Sequence, residues 1–174
     1  LAEVAGVVRK ELNRLIQTAC EKSNAVMDEI LDVVVGGNTT MLTLAAAVNP
    51  EPLGRLPFTV AITGGASYAA KEFGLDINPA GRVYVPPRVQ AFIGSDITAG
   101  VLACGCLEKK KPSLFVDVGT NGEMGINTDG RFIVASTAAG PAFEGMGVSS
   151  GIRAVSGAVE SAYFDGETID VKTI

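Results

Sequence analysis

The segment richest in chemistry is Leu114-Phe115-Val116-Asp117-Val118-Gly119-Thr120-Asn121-Gly122-Glu123. Alternate side chains of an extended strand share a face, so Leu114, Val116 and Val118 fall on one side and Phe115 and Asp117 on the other. An aspartate near the end of an otherwise apolar strand is costly unless a cation, water or hydrogen-bond donors satisfy it. The Gly-Thr-Asn-Gly run after it offers an exposed arc of backbone amides with little side-chain bulk, suited to wrapping an anion. A carboxylate beside such a loop repels a triphosphate, and Mg2+ resolves the conflict. Asp117 then binds the ion or its waters while the amides of Gly119, Thr120, Asn121 and Gly122 hold the phosphates. Glu123 could orient a hydrolytic water. Spacing alone leaves two readings open: a metal-tending acid beside a phosphate loop, or a hairpin in which Asp117 accepts hydrogen bonds from turn amides and Glu123 is a flanking surface residue.

Composition narrows the chemistry. There is no His in 174 residues, which removes Ser-His-Asp and Cys-His nucleophile pairs and His-containing zinc sites. Net charge is −5 and the pI is near 4.8, without a Lys/Arg stripe interleaved with aromatics, so a nucleic-acid surface is not expected. The basic run Lys109-Lys110-Lys111 reads as the solvated end of a helix, where cations suit the macrodipole. Cys20, Cys104 and Cys106 are too few for a four-Cys cluster and too scattered for a secreted disulfide framework. Core thiols in a reducing cytoplasm are expected. No segment has the apolar run of a membrane span, and Glu3, Arg9 and Lys10 do not suit a signal peptide.

The elements that must position the acid are partly legible. Leu1, Val4, Val8, Leu12, Leu15, Ile16 and Ala19 recur at helical spacing, predicting an amphipathic helix that ends near Ser23-Asn24. Ile30 to Val35 reads as a buried strand stopped by Gly36-Gly37, and Asn38-Thr39-Thr40 as the cap of a helix over Met41–Val48. Tyr68 to Phe73 has room for one or two helical turns, Arg82–Val85 is strand-like, and Gly94-Ser95-Asp96 caps a helix over Ile97–Lys109. After Pro112, the runs Ser113–Val118, Glu123–Asn127 and Arg131–Ser136 form an antiparallel meander joined by Thr120-Asn121-Gly122 and Asp129-Gly130, because Asn-Gly and Asp-Gly supply the positive φ of tight hairpins. A helix around Arg153–Ala162 and a last strand over Thr168–Val171 follow. Glycine reaches 21 residues, about 12% against a usual ~7%, with the excess in loops at element ends.

Four ordered blocks carry a resemblance: Val34-Val35-Gly36-Gly37-Asn38-Thr39-Thr40-Met41; Asn49-Pro50-Glu51-Pro52-Leu53-Gly54; Val116 to Glu123; and Ser136-Thr137-Ala138-Ala139-Gly140-Pro141-Ala142-Phe143-Glu144-Gly145. Together they resemble the ATPase domain of the reductive activators of corrinoid proteins, which belong to the acetate and sugar kinase, heat-shock chaperone and actin superfamily. The resemblance covers nearly the whole chain. It implies an α/β, actin-like ATPase (ribonuclease-H-like) fold in which residues 1–111 are the remainder of a first lobe (helix, strand, helix, strand, helix). Residues 112–174 would open the second lobe.

The resemblance further implies a cleft for ATP and Mg2+, with hydrolysis coupled to reduction of an inactive cob(II)amide cofactor in a partner corrinoid protein. The electron would come from a 2Fe-2S cluster in a domain outside this chain. Asp117 to Glu123 resembles the second phosphate loop. Gly37, Asn38 and Thr39 fall at a strand end and helix start, which either faces the cleft or is a helix cap and nothing more. The family's first phosphate loop, its adenosine-holding segment and its iron–sulfur domain are absent from these residues, so the expectation is an excised middle portion without ATPase activity of its own. A small-molecule kinase of the same superfamily, or a non-catalytic binding or homodimerisation module, are the alternatives. Glu144 and Arg153 could pair across the Gly-rich loop or contact substrate, and Phe143 could anchor a partner or plug the core.

Overall fold

The computed structural model describes residues 1–62, 64–142 and 144–174, so Phe143 and the two roles considered for it lie outside the described residues. The chain divides into two compact units, Leu1–Lys111 and Pro112–Ile174.

The first unit opens with α1 (Ala2–Ser23), stopped by Asn24 at φ 54, a left-handed conformation that Asn tolerates better than most residues. Its apolar stripe, Val8, Leu12 and Ile16, packs against a core of Leu42, Ala45, Ala70, Phe73, Leu75, Ile77, Val83 and Val85. Two polar side chains fasten it further. Arg9 Nε donates to Ala45 O at 2.9 Å, at a helix C-terminus where a cation is favoured. Asn13 donates to Gly74 O at 3.1 Å and accepts from the Asp76 amide at 2.9 Å.

The unit contains a three-stranded sheet, with β1 (Asp32–Val34) parallel to β3 (Arg82–Val85) and β2 (Ala66–Ala69) antiparallel to it, in the order β1-β3-β2. Val83 and Val85 are buried while Arg82 and Tyr84 face outward. The valine-rich strand was expected to be buried, but β1 is an edge strand and Val34 is 66% exposed. An apolar run signals a strand without saying whether both faces are covered. Tyr68 to Phe73 is half strand: β2 ends at Ala69 and α3 (Ala70–Phe73) follows, closed by Gly74 at φ 80. Among the described residues the first unit therefore holds β2, α3 and two short 3-10 turns, Met27–Glu29 and Glu51–Gly54, beyond the expected five elements.

Helix α2 (Thr39–Ala45) starts two residues before the expected Met41 and ends at Ala45 rather than Val48, but its cap is the expected one, with Asn38 Oδ1 accepting from the Thr40 amide at 2.9 Å. Helix α4 (Ser95–Ala103) stops at Ala103 rather than Lys109, because Gly105 takes a φ of 59. The lysine run therefore lies beyond the helix and does not complement its dipole. Cys104 is exposed, against the expectation of a core thiol, whereas Cys20 and Cys106 are buried.

The second unit contains the expected meander, β4 (Ser113–Val118), β5 (Asn121–Thr128) and β6 (Arg131–Ala138), in that order, with a hairpin of β7 (Val159–Phe164) and β8 (Ile169–Thr173). Asp129 and Gly130 turn at φ 49 and 71, as their pairing predicts. Asn121 and Gly122 do not: both lie within β5, and the chain reverses through Gly119-Thr120. The helix expected over Arg153–Ala162 is absent; Gly157 at φ 90 interrupts it, and Val159, Tyr163 and Phe164 suit the strand that forms.

The β7–β8 turn is organised by Asp165. Its Oδ1 accepts from the amides of Thr168 at 2.7 Å and Glu167 at 2.8 Å, and its Oδ2 from Thr168 Oγ1 at 3.0 Å. These donors, the Thr168 amide first, hold the carboxyl below its ordinary value of 3.8. A depressed folded-state pKa gives stabilisation that is complete above the ordinary value and fades as pH falls through it toward the lower folded value. The Thr168 amide resonance should therefore shift with a midpoint below 3.8, and Asp165→Asn should abolish that titration. A midpoint at or above 3.8 would mean that the turn bonds do not form.

Candidate functional site

The hairpin register builds the site. In β4–β5, Asp117 stands directly opposite Glu123, and in β5–β6, Glu123 stands opposite Ser136. Strand alternation puts these three on the sheet face that also carries Phe115, Gly125, Asn127, Phe132 and Val134. Leu114, Val116, Val118, Met124, Ile126 and Ile133 share the other face, as alternation predicts.

Two carboxylates facing each other across a ladder oppose the pairing unless something screens them. Glu123 is buried, and its Oε1 accepts from Ser136 Oγ at 3.1 Å. Asp117 is half-buried, and among the described residues no donor reaches its carboxylate. Beside this pair, Gly125 leaves room for Phe132, whose ring occupies the space a Cβ would need. The acids thus sit next to an apolar floor, partly desolvated, which strengthens their attraction for a cation.

The arc of amides is narrower than its sequence suggests. The Gly119 amide donates to Asn121 O at 2.9 Å, Asn121 pairs with Ala138, and Gly122 pairs with both Val118 and Thr137. Because β5 starts at Asn121, the ladder takes up backbone that a longer loop would have left open. Thr120 remains. No acceptor for its amide is found among the described residues, while its carbonyl accepts from the amides of Gly140 at 2.7 Å and Ala139 at 3.3 Å. Its hydroxyl donates to Glu144 Oε1 at 2.7 Å. Glu144 thus holds Thr120 rather than pairing with Arg153, whose Nη2 lies 3.7 Å from Met146 Sδ.

The glycine–asparagine–threonine block belongs to the first unit. The Gly37 amide donates to Ser95 Oγ at 3.1 Å, and Gly37 O accepts from the Ser95 amide at 3.1 Å. Asn38 caps α2. Thr39 is fully buried, with its hydroxyl 3.4 Å from Gln90 O. All three are engaged at the junction between the starts of α2 and α4.

Ser136 and the Thr120–Glu144 contact were not read from sequence. The tight Asp129-Gly130 turn contained the signal for Ser136, since a two-residue hairpin loop fixes register and places residue 136 opposite residue 123. Nothing local announces Glu144, which lies across a loop.

Comparison with known proteins gives the site a context. The family described as the RACo middle region matches residues 1–109, and the C-terminal domain of RACo, the ASKHA domain, matches residues 111–174. The corrinoid activation enzyme RamQ of Eubacterium limosum is 36% identical over 160 residues, covering 92% of this chain and 27% of that protein. A [Co(II) methylated amine-specific corrinoid protein] reductase of Methanosarcina barkeri is 43% identical over 91 residues, covering 52% of this chain and 17% of that protein. A solved structure of a reductive activator for corrinoid,iron-sulfur protein superposes with a TM-score of 0.84 at 35% identity, over 99% of this chain and 28% of that one. The chain thus spans between 17% and 28% of the length of these relatives. The ASKHA match and the superposition agree with the actin-like α/β fold expected from the sequence. The chain belongs to the RACo family, the reductive activators of corrinoid proteins, and carries sequence of both the middle region and the ASKHA domain.

Proposed function

We propose that this chain is part of the ATP-binding domain of a cytoplasmic protein that couples ATP hydrolysis to the reductive reactivation of a corrinoid protein, its partner. The observation that carries the site is the register of the first hairpin, which sets Asp117 opposite Glu123 immediately before a turn whose Thr120 amide has no acceptor among the described residues.

The residues fit the groups that this function requires. Mg2+ prefers hard oxygen ligands and keeps several waters, and the Asp117 carboxylate suits an ion whose remaining positions go to water and phosphate. Asp117 holds the ion or its waters, being the more exposed of the two acids. Glu123, oriented by Ser136, positions water. Thr120 offers its amide to a phosphate oxygen, Gly119 shares the turn with it without side-chain bulk, and Asn121 and Gly122 fix the start of β5 beside it. When bound, Mg2+ neutralises phosphate charge and ATP supplies the bond to be hydrolysed. Gly37, Asn38 and Thr39 serve by fixing the α2–α4 junction. The reducing electron comes from a 2Fe-2S cluster outside these residues.

Titration with ATP of a chain extended at both ends of these residues, with and without Mg2+, followed by hydrolysis assays with and without a corrinoid protein, tests the reading. Mg2+-dependent binding and hydrolysis stimulated by the corrinoid protein are the expected results. Phosphoryl transfer to a small acceptor without any corrinoid protein would replace this reading with the kinase. No nucleotide binding at all would leave a binding module.

A further inference from the structure

We propose that Glu144 is a positioning residue that latches the Gly140–Gly151 loop to Thr120 and is released when a nucleotide phosphate takes the Thr120 hydroxyl. The inference rests on Gly119–Gly122 being the phosphate loop and adds a device that this role does not require.

Thr120 holds the loop by three hydrogen bonds of two kinds. Two are backbone bonds from Ala139 and Gly140 to its carbonyl, which anchor the root of the loop. The third runs from its hydroxyl to Glu144 Oε1, nearer the tip. A threonine hydroxyl has one proton, so it donates either to Glu144 or to a phosphate oxygen, and not to both. The competition is reinforced by charge, because a phosphate arriving at the Thr120 amide meets the Glu144 carboxylate as a second anion.

Release of Glu144 does not stay local. The next residue, Gly145, has a φ of 78, and a Cβ there would collide with the Ile152 backbone. A Cβ on Gly151 would come within 2.5 Å of Gly145 O. The loop therefore closes on itself immediately after Glu144, through these glycine contacts and through the Gly145 amide on Ala142 O at 3.1 Å and the Met146 amide on Pro141 O at 3.0 Å. Displacing Glu144 thus displaces the stretch from Pro141 to Ile152 as one piece. The loop root stays attached to Thr120 while its tip changes partner, which makes two discrete arrangements biased by one ligand.

Hydrogen exchange and MgATP titration on wild-type, Glu144→Ala and Glu144→Gln proteins test the latch. In wild type, MgATP should protect amides 119–122 and accelerate exchange at 144–151. Without nucleotide, Glu144→Ala should already show fast exchange at 144–151, with no further rise on MgATP. Its MgATP affinity should be about five- to tenfold higher, because closure no longer competes with binding. Glu144→Gln keeps an acceptor without the charge, so its loop should stay protected without nucleotide while it still binds MgATP more tightly than wild type. Weaker MgATP binding by both variants with wild-type exchange would make Glu144 a ligand contact and overturn the latch. Protection of 119–122 by MgATP with identical exchange at 144–151 in wild type and Glu144→Ala would also sink the latch alone. An absence of MgATP protection at 119–122 in wild type would instead refute the phosphate loop, and the coupling with it.

Discussion

Asp117→Asn is expected to weaken ATP binding about 10–100-fold in the presence of Mg2+ and to tighten it slightly when Mg2+ is withheld, because the carboxylate then only repels the triphosphate. Asparagine keeps the shape and most of the hydrogen-bonding capacity of aspartate but not its charge, so the change removes attraction for the cation, repulsion of the triphosphate and little else. Its effect on stability should have the opposite sign. Asp117 stands directly opposite Glu123, and cross-strand like-charge pairs cost a few tenths of a kcal/mol to about 1 kcal/mol. The variant should therefore melt at the same temperature as wild type or slightly above it. Calorimetric titration with and without Mg2+, paired with thermal melting, separates loss of a ligand site from loss of the fold. Undiminished MgATP affinity would show that Asp117 does not manage the ion, and a lowered melting temperature would show that its carboxylate serves the hairpin instead.

Gly94→Ala should destabilise the first unit by about 1–3 kcal/mol, the usual cost of overpacking a close contact. Gly94 precedes α4 with an ordinary negative φ of −79, so backbone strain does not require glycine there. Space does. A Cβ at Gly94 would lie 2.6 Å from Gly37 O and 2.9 Å from Asn38 Cα, both backbone atoms that cannot swing aside. The substitution also makes the unfolded chain less flexible, a gain of about 0.4–1 kcal/mol, and the clash exceeds it. Gly6 supplies the control, since it lies inside α1 and a methyl group added there would meet nothing within 4 Å. Gly6→Ala should stabilise by about 0.5–1 kcal/mol through helix propensity. Urea midpoints measured together decide the matter: equal shifts for the two variants would mean that the α2–α4 junction tolerates separation.

Where periodicity and turn chemistry agreed, local sequence was sufficient to read the fold. The spacing in α1, the alternation in Arg82–Val85 and Ser113–Val118, the Asn38 cap and the Asp129-Gly130 turn all rest on interactions within a few residues. The first meander turn failed because Asn-Gly is equally able to enter a strand when tertiary pairing is available on both sides. Gly122, in register with both Val118 and Thr137, is in that position. That error mattered for the site. Placing the turn at residues 120–122 slides the register and hides the opposition of Asp117 and Glu123, although both acids were recognised individually. Arg153–Ala162 failed for a related reason: its helical reading ignored the β-branched and aromatic residues that pair with β8. The Thr120–Glu144 bond and the Gly37–Ser95 bonds depend on contacts between distant segments, which no local pattern encodes.

Asn13 bonds to Gly74 O and the Asp76 amide with one side chain, so the longest helix of the chain and the single turn of α3 share a fastening point. Neither can be trimmed, permuted or exchanged as a separate part. A cut just after Asn13 unbuttons a helical turn some sixty residues downstream.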